Sequence, residues 1–143
     1  MTDDEVWAFL SSSPPHTGKL ATVRADGSPH VAPIWFAVDD GEDGREIVFN
    51  TGEDTVKGRA LRRDGRAALC VDDEVPPYAF VIVEGTVELV DDPAALRRWA
   101  GIIGGRYMGE DQADAYGERN GVLGELLVRL RPRRITAMSD LND

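Results

Sequence analysis

The chain has little of what metal, disulfide and membrane proteins depend on. Cys70 is its only cysteine, so an internal disulfide bond is excluded and a reducing cytoplasm is the expected compartment. The only histidines, His16 and His30, have no partner at metal-ligand spacing, which argues against a zinc or non-haem iron site. No run approaches the roughly 20 apolar residues of a membrane span, so we expect no membrane association.

Basic residues are also scarce. Against 26 Asp and Glu there are 16 Lys and Arg, and the formal net charge is -10. A nucleic-acid binder normally carries a basic surplus, so nucleic acid is not an expected partner. Neither a Walker loop nor a dinucleotide-binding glycine motif after a strand is present. With 143 residues and no linker or repeat, we expect one domain over residues 1–143.

The chain does contain a series of short β-prone runs separated by turn residues. Asp26-Gly27 between two such runs indicates a hairpin, and Asp92-Pro93 indicates a helix start. The predicted strands are 19–24, 30–38, 46–50, 66–71, 78–90, 126–130 and 134–137, and the predicted helices are 3–10, 55–63 and 92–106. Six or seven antiparallel strands with two or three peripheral helices predict a mainly β (α+β) barrel.

The segment 57–66 concentrates five bases in ten residues of an acidic chain. At about 100° per residue, the arginines at 59, 62, 63 and 66 share one helix face, whereas Lys57 lies on the apolar face. A cation near a helix N-terminus opposes the helix dipole. We therefore interpret Lys57, with the hydroxyls of Thr51 and Thr55, as an anion site. The alternative is a lysine that extends to solvent.

The segment 31–36 (Val-Ala-Pro-Ile-Trp-Phe) is apolar on both faces of a strand, which predicts a strand buried on both sides. Pro33 withholds one ladder hydrogen bond and is expected at an edge or bulge, where backbone groups are free to meet a ligand. A plain core strand is the alternative.

In this order, the segments resemble the flavin/deazaflavin oxidoreductase superfamily, whose members are similar to pyridoxamine 5'-phosphate oxidase, and within it the branch that uses coenzyme F420. The matching pieces are 20–31, 32–36, 49–51, 57–66, 84–87 and 106–107. The resemblance implies an FMN-binding-like split β-barrel, and a homodimer in which both subunits build each cofactor site.

The resemblance also implies roles for ten residues. Pro33, Ile34 and Trp35 would line the flavin-like ring. Asn50 and Thr51 would contact the ring edge or chain, and Lys57 the phosphate. Arg62 would assist with the phosphate or the acidic tail. Tyr78, Arg106 and Tyr107 would come from the partner subunit.

The implied activity is that of an F420-dependent oxidoreductase, which transfers a hydride from the reduced deazaflavin to a conjugated small-molecule acceptor. FMN in the same fold is one alternative, and a non-catalytic flavin- or deazaflavin-binding protein is another. The arginine-rich segment favours F420, because that cofactor has an acidic tail. No catalytic residue is predicted; a tyrosine (Tyr78 or Tyr107) or water would supply the proton.

Overall fold

The computed structural model describes residues 1–42 and 44–142. Its elements, in chain order, are α1 (Asp3–Leu10), β1 (Gly18–Val23), β2 (Pro29–Ile34), β3 (Ala37–Gly41), β4 (Gly44–Gly52), α2 (Val56–Arg63), β5 (Arg66–Asp73), β6 (Ala79–Val90), α3 (Pro93–Met108), a 3₁₀ turn (Glu110–Gln112), α4 (Ala113–Asn120) and β7 (Glu125–Ser139). None of the helices in the described ranges is long and apolar enough to cross a membrane.

The seven strands form one sheet in the order β2-β1-β5-β6-β7-β4-β3, and every pairing in it is antiparallel. The predicted architecture of hairpin-linked antiparallel strands is therefore confirmed. Alternate residues of the central strands face a common core, as the strand period of two requires. The largest fully buried side chains include Phe36, Phe49, Leu20, Leu69 and Leu130.

The predicted strand 30–38 is wrong as a single element. It breaks at Trp35 and Phe36 into β2, which pairs with β1, and β3, which pairs with β4 at the other end of the sheet order. At the break, two side chains of α3 make the backbone hydrogen bonds that a neighbouring strand would otherwise make. Arg106 Nη1 donates to the Phe36 carbonyl at 2.6 Å, and the Tyr107 hydroxyl accepts from the Phe36 N–H at 3.4 Å.

The expected burial of both strand faces is also wrong for β2. Val31 is 64% exposed and Pro33 is exposed. Because β2 is an edge strand, only one of its faces packs on the core, and Ile34 lies on that face. Pro33 sits at an edge, as its missing N–H predicted.

The two predicted C-terminal strands are one long strand, β7, which pairs with both β4 and β6. The register shifts where Glu84 opposes Arg134 and Gly85 opposes Pro132, so Arg133 is left without a partner position. A bulge of this kind bends a strand without ending it. Sequence reasoning interpreted the bend as a break.

Helix α4 is absent from the prediction, which gave two or three helices, whereas the described residues form four α-helices. It has no side-chain N-cap, and Gly117 is its only fully buried residue among those described. Glycines of α3 allow it to pack closely, since a side chain at Gly104 would collide with Tyr116. The helix depends on tertiary packing, which local sequence signals do not report.

Candidate functional site

Six of the ten predicted site residues line one cleft of about 290 Å³, here called the Lys57 cleft. They are Pro33, Ile34, Trp35, Asn50, Thr51 and Lys57, and the remaining lining residues are Gly52, Ile103, Asn120 and Glu125. The volume is at the lower end of ligand pockets, roughly 300–1,000 Å³. The strand break after Ile34 forms one wall, and the end of β4 with the start of α2 forms the other.

Lys57 is the second residue of α2 and is half-buried in the cleft wall. Within residues 1–42 and 44–142, its ammonium group has no hydrogen bond or ion pair, whereas Lys19 Nζ lies 2.6 Å from Asp72 Oδ1. The N–H groups of Val56 and Lys57 are in the first turn, where a helix offers no acceptor. Positive charge therefore lies beside the start of α2 at this end of the cleft, which suits an anion.

Thr55 does not contribute a free hydroxyl, contrary to the sequence interpretation. Its Oγ1 caps α2 by accepting from the Gly58 N–H at 3.0 Å, and it donates to the Gly52 carbonyl at 2.8 Å. Thr51 Oγ1 lies 3.3 Å from Thr55 Oγ1. Because the single Thr55 hydrogen is used at Gly52, Thr51 is the donor of that pair. The lone pairs of the Thr51 hydroxyl, or its hydrogen after rotation, remain for a ligand.

The β4–α2 connection is tight where it meets the cleft. A Cβ atom at Gly58 would press against the carbonyl oxygen of Gly52. Glycine at position 58 therefore lets the first turn of α2 approach the end of β4, and it brings Lys57 beside Thr51.

Trp35 forms the aromatic wall of the Lys57 cleft. Its ring stacks on Tyr107 with centroids 5.0 Å apart and an interplanar angle of 3°, and Tyr116 packs against it at 5.8 Å in a tilted geometry. The Tyr107 hydroxyl donates to the His16 carbonyl at 2.7 Å. Burial raises the pKa of Tyr107. Tyr107 thus supports Trp35 from behind and does not line the cleft.

Arg106 is likewise engaged within its own chain. Its guanidinium donates to the carbonyls of Phe36 at 2.6 Å, Leu10 at 2.8 Å and Ser12 at 3.4 Å. Burial lowers the pKa of Arg106. These bonds tie α1 and the strand break to α3. The resemblance implied that Arg106 and Tyr107 reach the cofactor site from the partner subunit, and this role stays a prediction.

Arg62 and Tyr78 lie outside the Lys57 cleft. Arg62 Nη1 is 3.7 Å from Glu53 Oε2, and Arg62 lines a neighbouring cleft of about 430 Å³ that shares Glu125 with the first. Tyr78 is exposed between β5 and β6 with a φ of 60°. Their roles in cofactor binding also stay predictions.

Glu125 is a charged residue of the cleft that sequence reasoning missed. As the first residue of β7 it pairs with Gly52, two positions from Asn50, and its Oε1 accepts a 2.7 Å hydrogen bond from Asn50 Nδ2. Asn120 and Ile103, on α4 and α3, were missed as well. The Asn120-Gly121 dipeptide, a common turn signal, was the only local indication of a helix end there.

A second cleft, here called the Arg45 cleft, is larger, about 750 Å³. It lies between α1, the β3–β4 hairpin and β7, and none of the predicted site residues lines it. Arg45 Nε is 2.8 Å from Asp40 Oδ1, and Arg45 Nη1 is 3.7 Å from both Asp3 and Asp4. The hydrogen bond to Asp40 raises the pKa of Arg45. The arginine charge of this cleft is compensated within the protein.

The chain matches the model of the family described as pyridoxamine 5'-phosphate oxidase over residues 2–139. The match covers nearly the whole chain, so the chain belongs to this family. The predicted resemblance is confirmed at this level.

Three curated relatives are oxidoreductases. A 5a,11a-dehydrotetracycline/5a,11a-dehydrooxytetracycline reductase of Streptomyces rimosus subsp. rimosus is 30% identical over 82% of this chain and 70% of its own length. An F420H(2)-dependent biliverdin reductase of Mycobacterium tuberculosis is 31% identical over 66% and 64%. A pyridoxine/pyridoxamine 5'-phosphate oxidase of Alkalilimnicola ehrlichii is 37% identical over 57% and 40%. These relatives support the oxidoreductase class and a flavin or deazaflavin cofactor.

A solved structure supports the fold over almost the whole chain. A conserved hypothetical protein of Mycobacterium tuberculosis superimposes with a TM-score of 0.82 and 31% identity, covering 98% of this chain and 86% of its own.

Proposed function

We propose that this protein is an F420-dependent oxidoreductase that transfers a hydride from the reduced deazaflavin to a conjugated small-molecule acceptor. The observation that carries the proposal is the half-buried Lys57, unpaired among the described residues, in a cleft whose opposite wall is apolar and aromatic. A partly buried ammonium group without a partner is costly unless a ligand supplies the opposite charge.

The donor set of the cleft fits a cofactor that has an anionic end and a flat ring. Lys57, the Thr51 hydroxyl and the first-turn N–H groups of α2 suit a phosphate or phosphodiester. Pro33, Ile34 and Trp35 suit an apolar ring, since fused rings bind between apolar and aromatic side chains. The reduced cofactor, when bound, supplies the hydride.

The residues of the chain act by orientation. Trp35 is held by its stack on Tyr107 and by the two α3 side chains that bind the Phe36 peptide groups. A wall fixed in this way restricts the ring to one plane, which favours a productive approach of the acceptor. The hydrogen of the Tyr107 hydroxyl is used at His16. We therefore propose water as the source of the proton that the reduced acceptor takes up.

We also propose that a second copy of the chain completes each site. The Lys57 cleft is lined on one side by β2, an edge strand whose Val31 and Pro33 are exposed. An apolar edge beside an open cleft is the expected position of a subunit contact. Sedimentation equilibrium should give a dimer, and a stable monomer that binds the cofactor would contradict this part of the proposal.

FMN is the second candidate cofactor. It is favoured by the pyridoxamine 5'-phosphate oxidase family match and by the 37% identical oxidase relative. F420 is favoured by the F420H(2)-dependent reductase relative and by the basic side chains near α2, which suit an acidic tail. Arg59 has no ion pair among the described residues, whereas Arg66 is engaged by Asp64 at 2.6 Å and Arg63 donates to the Val23 carbonyl at 2.7 Å.

The test is a titration of the purified protein with oxidised F420, reduced F420 and FMN, read by fluorescence. Single-turnover oxidation of the bound reduced cofactor by a panel of conjugated acceptors then tests for catalysis. We expect tighter binding of F420 than of FMN, and oxidation by at least one acceptor faster than in buffer. Binding without any accelerated oxidation would favour the non-catalytic binding protein. Failure to bind either cofactor would overturn the proposed function.

A further inference from the structure

The strongest unassigned feature of the Lys57 cleft is the hydrogen bond between Asn50 and Glu125. The two side chains are 75 residues apart in sequence, both are half-buried, and both line the cleft. Asn50 opposes Leu127 and Gly52 opposes Glu125 in the β4–β7 ladder, so the pair is a diagonal contact between adjacent strands. Both backbones are held by the sheet, which fixes the distance between the two side chains.

The chemistry of the pair decides which way the Asn50 amide points. An ionised carboxylate only accepts hydrogen bonds, whereas an amide side chain can donate from nitrogen or accept at oxygen. The 2.7 Å contact with Glu125 Oε1 therefore holds Asn50 Nδ2, not Oδ1, toward Glu125. Asn50 Oδ1 has no hydrogen-bond partner among residues 1–42 and 44–142, and it is the acceptor that Asn50 offers to a ligand.

We propose that Glu125 is a positioning residue that orients Asn50, so that Asn50 Oδ1 accepts a hydrogen bond from an N–H group of the bound cofactor. The inference rests on the proposed function. The dione edge of a flavin or deazaflavin ring carries one N–H between two carbonyls, and an oriented acceptor recognises that donor. Without Glu125, the amide would rotate between two orientations, and only one of them presents the oxygen.

The test is a double-mutant cycle, measured as the dissociation constant of F420, or of FMN where the wild type prefers it. Asn50→Ala and Glu125→Ala should each weaken binding about tenfold, the loss expected for one hydrogen bond that fixes a ligand. If Glu125 acts only through Asn50, the double variant should bind no more weakly than Asn50→Ala alone. Glu118→Gln, on the exposed face of α4, is the matched control and should leave binding unchanged.

Exchanging the amide and the carboxylate between positions 50 and 125 gives a measurement that would not change if the pair had only a structural role. Asn50→Asp alone places two carboxylates in contact and should weaken binding by about thirtyfold or more. The double variant N50D/E125Q again has one carboxylate and one amide at these two positions, so the pair carries a single negative charge. The amide introduced at position 125 donates to one oxygen of the carboxylate introduced at position 50, and the second oxygen of that carboxylate is the acceptor for the ligand. This double variant should bind within about threefold of the wild type. Thermal unfolding without cofactor checks that each variant folds; if Asn50→Asp does not fold, the alanine cycle decides.

The outcomes separate this inference from the proposed function. A wild type that binds neither F420 nor FMN contradicts the function. If the wild type binds the cofactor, and Glu125→Ala weakens binding by the same factor in the wild type and in the Asn50→Ala variant, only the positioning role of Glu125 is overturned. A swap variant that binds no better than Asn50→Asp does the same.

Discussion

The Lys57 cleft and the Arg45 cleft differ in how their charges are satisfied. The Arg45 cleft is more than twice as large, yet its Arg45 lies within 4 Å of three carboxylates of the same chain. The smaller Lys57 cleft leaves an ammonium group without a partner in the described part of the chain. We therefore infer the binding site from the unpaired charge and not from volume.

The largest expected effect lies at the base of the Lys57 cleft and concerns glycine. Gly58→Ala should destabilise the fold by about 3 kcal/mol, because the new Cβ collides with the Gly52 carbonyl and the packing at the base of the Lys57 cleft is tight. Guanidinium unfolding measures the change. Gly65→Ala is the control: its nearest neighbour is 3.6 Å away, so the change should be within about 1 kcal/mol. Equal effects of the two substitutions would contradict the predicted close packing.

The aromatic support behind Trp35 should give the next largest effect. Tyr107→Leu removes the parallel stack and the two hydrogen bonds of the hydroxyl, and we expect a loss of about 2 kcal/mol in the free energy of unfolding. Cofactor binding should also weaken, because Trp35 loses its fixed plane. A variant that is destabilised yet binds the cofactor with wild-type affinity would show that Trp35 needs no such support.

The Tyr107 hydroxyl also predicts a pH dependence. Because burial raises the pKa of Tyr107 above its ordinary value of 10.0, the folded state keeps the phenolic proton to higher pH than the unfolded chain does. The resulting stabilisation is complete below that ordinary value and is lost as the pH rises through the folded-state pKa. Above about pH 10, unfolding midpoints of the wild type should fall more steeply than those of Tyr107→Phe. Parallel curves would contradict this assignment.

The smallest effect is expected at the Arg45 cleft. Arg45→Ala should change the dissociation constant of the cofactor by less than about twofold, because this arginine is neutralised by its own carboxylates and surface ion pairs contribute little. The titration used for the wild type measures it. A large loss of affinity in this variant would remove the distinction between the two clefts.

The sequence predicts the parts of the site that are continuous in the chain. Lys57 could be assigned to the inward face of α2 from helix periodicity, and Pro33 to an edge from its missing N–H. The break at Trp35 and Phe36 could not be predicted, because its peptide groups are satisfied by Arg106 and Tyr107, about 70 residues later. Glu125 was missed for a similar reason: its proximity to Asn50 depends on the β4–β7 register.

We propose that cofactor binding in the Lys57 cleft depends on the charge of Lys57 meeting a phosphate, and ligands with and without that phosphate test this directly. The affinities of wild type, Lys57→Ala and the control Lys19→Ala should be measured for FMN and riboflavin, and for F420 and its phosphate-free deazaflavin. We predict that Lys57→Ala weakens binding of the phosphate-bearing ligands by about 1.5–3 kcal/mol, as for a charge-assisted hydrogen bond, and leaves the phosphate-free ligands unchanged. Lys19→Ala should alter neither. Equal losses for both kinds of ligand, or no loss for either, would contradict this role of Lys57.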